Sequence, residues 1–124
     1  NLWRRFDKDG VDAPFALCDS RTVSEDELIA TDLFNYGKQE ENTETLADEN
    51  GFTVEIYQSM NSDDHQWYFY PKMNRDEVVM FKTYDSNEKP FMPTLHSAFD
   101  DTVNGRDDAS PRESIEVRAI CFFD

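Results

Sequence analysis

The sequence predicts a mainly β protein, a sandwich or jelly roll with one or two short helices. Three observations lead there. Short runs rich in β-branched and aromatic residues recur along the chain, turn signals separate them, and only one stretch carries a helix-start signature. Ten Phe, five Tyr and two Trp among 124 residues argue against the disorder that the acidity alone would suggest.

The elements come in this order. Leu2-Trp3-Arg4-Arg5-Phe6 reads as a strand leading to a turn at Lys8-Asp9-Gly10, and Pro14 to Cys18 as a second, buried strand. Ser24-Glu25-Asp26-Glu27 has capping-box spacing, which predicts a short helix through Leu28 and Ile29. From Gly37 to Gly51 the chain is polar and acidic, and residues 38–51 read as an acidic loop. Phe52 to Tyr57 alternates apolar and polar side chains as a half-buried strand does. Gln66 to Tyr70 is aromatic and stops at Pro71, where an aromatic run is read first as core and second as pocket lining. Glu77 to Tyr84 and Glu113 to Phe123 complete the set.

Composition narrows the function. Asp and Glu number 27 against 12 Lys and Arg, a net charge of -15. Such a surface repels phosphate backbones and anionic lipid, which predicts no nucleic-acid and no membrane partner. No run approaches the ~20 apolar residues of a membrane-spanning helix. Cys18 and Cys121 sit in apolar runs without zinc-site spacing and are expected as buried free thiols of a reducing compartment, the cytoplasm. The first residue is Asn1 and not Met, so a fragment of a longer product is expected.

The chemistry concentrates between Asp76 and Phe123, in DEVVMFKTYDS, MPTLHSAFDD and PRESIEVRAICFF. A strand ends in a polar turn, a lone His comes next, and a loop leads to an Arg-opened strand. A non-haem iron site needs that order in its second half: two His and one carboxylate hold iron(II) on one face, and a fixed cation grips the co-substrate's far carboxylate. Arg does this in a fork that Lys cannot match. His96 is therefore assigned as the distal metal ligand. Arg112 and Ser114, two apart on a strand, are assigned to the co-substrate carboxylate, with Arg118 next on the same face and Arg106 third. That face, which includes Glu116, is expected to be buried, with Ile115 and Val117 on the opposite side. His65, after Asp63-Asp64, is expected in an exposed turn, and Asp85 with Ser86 as turn-shaping residues. Lys82 points into a cavity or pairs with a surface acid. Trp3 and Arg4 are weaker candidates for substrate contact.

FKTYDS, LHSAFDD and PRESIEVRA, with NLWRRF, PFALCDS and the Trp67–Glu77 stretch, resemble the gibberellin desaturase-like and CmcJ/NvfI-type iron(II)/2-oxoglutarate oxygenases. The resemblance covers most of the chain and is weakest between Lys38 and Gly51. It implies that residues 1–124 form a single-domain fragment, the C-terminal portion of a double-stranded β-helix (jelly roll). It further implies Fe(II), 2-oxoglutarate and hydroxylation, desaturation or peroxidation of a small molecule in secondary metabolism. Such enzymes carry a His-x-Asp pair before the distal His. Here His65 is followed by Gln66-Trp67 and His96 by Ser97-Ala98, so the pair is absent from these residues. The resemblance places it ahead of the region matching Asn1. The competing expectations are a catalytically inactive remnant, or an acidic β-sandwich module for a basic protein partner with His96 and Arg112 on unrelated surfaces.

Overall fold

The computed structural model describes residues 1–6, 13–36, 52–103 and 111–123. The expected turn at Lys8-Asp9-Gly10, the acidic loop 38–51 and Arg106 lie outside the described residues. The chain divides into two compact units, residues 1–23 with 63–124, and residues 24–62. Among the described residues the strands are β1 (Leu2–Arg5), β2 (Phe15–Cys18), β3 (Leu28–Tyr36), β4 (Phe52–Ser59), β5 (Trp67–Phe69), β6 (Val79–Met80), β7 (His96–Ala98) and β8 (Ser114–Val117). The helical content described is two single 3-10 turns, Ser20–Thr22 and Glu25–Glu27.

The first unit contains two antiparallel three-stranded sheets, ordered β6-β1-β8 and β5-β2-β7. Backbone bonds extend the pairing past the strand ends, from Phe81 N–H to the Asn1 carbonyl (3.0 Å), Phe6 N–H to Glu113 (2.8 Å) and Cys18 N–H to Leu95 (2.9 Å). The sheets meet through aromatic side chains, since Trp3 of β1 stacks on Phe15 of β2 with centroids 4.2 Å apart. Trp3, Met73 and Phe81 are the buried centre, and Phe15, Leu17 and Val79 pack against them. A fully buried side chain of this size contributes about 1.5–3 kcal/mol.

The second unit corrects the expected helix through Leu28 and Ile29. Ser24 N–H does donate to the Glu27 carboxylate at 2.8 Å, as a capping box requires. The turn stops after Glu27, because Leu28 and Ile29 already belong to β3, which pairs antiparallel with β4 from Leu28↔Ser59 to Leu33↔Val54. Ile29, Thr31 and Leu33 share a face with Gln58, Ile56 and Val54, so cross-strand pairing outweighs a local start signal only one turn long.

Four further expectations change. The last strand is Ser114–Val117 and not Glu113–Phe123, and Glu77–Tyr84 shrinks to Val79–Met80, because each lasts only where β1 offers a partner. Gln66–Tyr70 narrows to Trp67–Phe69 for the same reason, its partner being β2. Cys18 is a buried free thiol as expected, whereas Cys121 is exposed beyond the end of β8.

Candidate functional site

The alternation of β2 builds the site. Phe15 and Leu17 point to one face of their sheet, Ala16 and Cys18 to the other. His96 of β7 stands opposite Leu17, so it shares the Phe15 face. Its imidazole lies 5.9 Å from the Phe15 ring and 4.8 Å from the Phe81 ring, centroid to centroid. Its Nδ1 is 3.0 Å from the Thr94 carbonyl oxygen. A carbonyl only accepts, so in the neutral ring Nδ1 carries the hydrogen and Nε2 presents its lone pair.

Glu116 of β8 faces that lone pair, with Oε2 3.9 Å from Nε2. The Asn1 side-chain amide donates to the other carboxylate oxygen of Glu116 at 2.5 Å, and Arg118 Nε lies 4.0 Å from the same oxygen. The Arg112 guanidinium donates to the Ala13 carbonyl at 2.8 Å and lies over the Trp3 ring at 5.7 Å. His96 and Arg112 therefore stand at the two ends of one aromatic row, Phe15 and Trp3 between them. They are not on unrelated surfaces.

The rest of the expected set is less closed. Ser114, Glu116 and Arg118 do succeed one another on β8 and its extension, but all four strand residues are exposed, with Ile115 at 48% and Val117 at 51%. Among the described residues the expected buried face is not formed, since there β8 pairs with β1 alone. Ser114 opens that edge opposite Arg5. Lys82 takes the surface alternative, donating to Asp85 at 2.9 Å and Glu88 at 2.6 Å. Those hydrogen bonds raise the Lys82 pKa, and Lys82 together with the Asn87 N–H lowers that of Asp85. Asp85 shapes its turn by accepting from Asn87 N–H at 3.0 Å. His65 comes after the turn at Asp63-Asp64 but is half-buried and not exposed. Trp3 is core, and Arg4 binds the Arg75 carbonyl at 2.6 Å.

In the sequence Glu116 has no role of its own, and the aromatic β5 run reads as core before pocket. Trp67 and Tyr68 are 44% and 58% exposed and, with Phe69, Ala16, Ser97 and Phe99, line a cavity of about 460 Å³. Ala16, Phe69 and Ser97 lie opposite one another on the face of the sheet away from Leu17 and His96. Among the described residues no group of three or more His, Cys, Asp or Glu is placed to hold a metal ion.

Comparison with known proteins gives this geometry a context. A family model described as Oxidoreductase/YMDC permease-like domain matches residues 1–122. The chain is 31% identical over 122 residues to the Fe(II)/2-oxoglutarate-dependent dioxygenase nvfI of Aspergillus novofumigatus, covering 98% of this chain and 39% of that protein. It is 29% identical to the hydroxylase/desaturase asaB of Aspergillus flavus, covering 100% of this chain and 54% of that protein. Among solved structures, the iron and alpha-ketoglutarate-dependent endoperoxidase NvfI superposes with a TM-score of 0.67 at 29% identity, over 91% of this chain and 37% of that one. The family resemblance and the jelly-roll fold expected from the sequence both stand. The chain spans well under two thirds of the length of these relatives.

Proposed function

Because the chain belongs to the Oxidoreductase/YMDC permease-like domain family, we propose that it is part of an iron(II)/2-oxoglutarate-dependent oxygenase that hydroxylates or desaturates a small molecule of secondary metabolism. The observation that carries the reading is the His96 ring. A metal-bound His commonly donates its other ring N–H to a carbonyl or carboxylate, which fixes the tautomer and aims the free nitrogen. Thr94 supplies that carbonyl at 3.0 Å, and Phe15 and Phe81 wall the ring. His96 is thus a fitting ligand, and the reading needs the His-x-Asp ligands from beyond these 124 residues.

Iron(II) with 2-oxoglutarate supplies the oxidation of an unactivated C–H bond, at the expense of dioxygen and the oxoacid's decarboxylation. The chain's own residues hold and orient. In this reading Arg112 grips the far carboxylate of 2-oxoglutarate, its plane set by Trp3 and by the Ala13 carbonyl, which leaves further N–H groups of the fork to donate. Ser114, two residues on, adds a hydroxyl donor, and Arg118 is the alternative cation. Trp3, Phe15 and Phe81 keep the wall beside His96 apolar, where electrostatic contacts are strengthened.

The net charge of -15 supports a protein that binds neither nucleic acid nor anionic membrane. No helix among the described residues is long and apolar enough to cross a membrane. The two free thiols support a reducing, cytoplasmic setting. The absence of a three-ligand set among the described residues favours one second reading, a chain without activity of its own.

The test is succinate release from 2-oxoglutarate by the polypeptide that carries this region in its source, beside its His96→Ala and Arg112→Met variants. The reading expects His96→Ala to abolish release and Arg112→Met to raise the KM for 2-oxoglutarate. Full turnover in His96→Ala would end it, and no turnover in the unmodified protein would favour the inactive reading.

A further inference from the structure

The ribbon of the second unit leaves a sheet face uncovered. Among the described residues β3 and β4 pair only with each other. Two strands alone are marginal in water, so such a ribbon gains from a cover over one of its faces. The pairing sorts its side chains into two kinds. Ile29, Leu33, Val54 and Ile56 lie on one face, where the Thr31 hydroxyl also donates to the Gln58 side chain at 3.3 Å. Ala30, Asp32, Glu55 and Tyr57 lie on the other.

Charge marks that second face. Asp32 stands directly opposite Glu55, both are exposed, and among the described residues neither meets a cation. Side chains so opposed stand about 5 Å apart at Cβ, close enough for one guanidinium to reach both. Tyr57 is two residues from Glu55 and opposite the small Ala30, and its ring is 59% exposed. An aromatic ring beside two carboxylates offers a guanidinium both a π face and acceptors.

The surroundings decide what kind of partner fits. No Lys, Arg or His occurs in β3 or β4. Residues 24–62 hold ten Asp and Glu against one Lys, so -9 of the net charge of -15 belongs to this unit. A second copy would bring the same -9 to the contact, and phosphate groups would be repelled likewise. We propose that this face docks a basic segment of a partner protein, with an Arg laid on Tyr57 and forked onto Asp32 and Glu55. The proposal is independent of the iron reading, since it uses none of that site's residues.

The probe is a short synthetic peptide of alternating Arg and Val, titrated calorimetrically into the polypeptide that carries this region, with hydrogen exchange locating the contact. Binding is expected, with protection of residues 28–33 and 54–59. Asp32→Asn with Glu55→Gln should weaken it about 2- to 30-fold, as the loss of two exposed ion pairs would. That double variant relieves a repulsion, so weaker binding would not come from a lost fold. Tyr57→Leu should weaken binding about 2- to 5-fold. Glu25→Gln with Asp63→Asn removes as much charge from outside the ladder and should change the affinity little. Equal weakening by that pair would show diffuse attraction to an acidic protein and overturn the proposal. No binding, or protection confined to other residues, would overturn it too. Protection of residues 28–33 that grows with protein concentration before peptide is added would give the face to a second copy, and the proposal would fall.

Discussion

Trp3 and Phe15 stack 4.2 Å apart, 8° from parallel, and this contact joins the two sheets of the first unit. Trp3 belongs to the strand that pairs with β6 and β8, and Phe15 to the strand that carries the β5 and β7 pairings. The same two rings separate Arg112 from His96, so the packing that holds the unit together also sets the spacing of the candidate site.

Truncating this contact should be costly. Trp3→Ala removes a side chain only 5% exposed from a core of few residues, and should destabilise the chain by about 3–5 kcal/mol. Trp3→Phe, which keeps a ring for Phe15, should retain most of the stability. Chemical denaturation followed by circular dichroism reads both, and equal losses would show that stacking is not what matters there.

The two thiols should differ in reactivity. Cys121 is exposed, while Cys18 is 2% exposed on β2. An aromatic disulfide reagent should titrate one thiol quickly in the native protein and the second only in denaturant. Two fast thiols would show that β2 opens readily.

Asp19 should titrate abnormally low. The Arg21 side chain hydrogen-bonds its carboxylate, and the Arg21 N–H adds a second donor, which brings its pKa from 3.8 to about 2. The folded value lies below the unfolded one, so the stabilisation is present above the unfolded pKa of about 3.9 and is lost as pH falls through about 2. The Arg21 partner is exposed and screened by salt, so the stability effect is small and the carboxyl carbon shift in an NMR titration is the better readout. Arg21→Ala should return the midpoint toward the ordinary carboxylate value.

The ribbon of the second unit carries a removable conflict. Asp32 and Glu55 stand directly opposite each other across β3 and β4. Like charges at opposed positions are unfavourable, so Glu55→Lys should gain about 0.2–1 kcal/mol locally. Slower amide hydrogen exchange along residues 28–33 would register it, and faster exchange would refute it.

The candidate residues were legible as a sequence pattern because they lie in local runs. His96 after its turn and Arg112 before the last strand could be picked out from residue order, and they share one aromatic wall in the fold. The Ser24-x-x-Glu27 spacing was legible too, yet it misled about Leu28 and Ile29, because β3 exists only through its ladder with β4. Glu116 looked like one more acid on a strand. What the fold adds is its place, 3.9 Å from Nε2 of a residue twenty positions earlier, in a different sheet.

Residue identity and spacing within a few positions were enough for the β character, the acidic surface, the order of His96 and Arg112, and the family. Folding settled where the strands end, that β8 pairs with β1 alone among the described residues, that the aromatic β5 run lines a cavity, and that Glu116 stands near His96. Those features arise from pairing and packing between residues distant in the chain, and strand length and exposure are set by which partner each backbone finds.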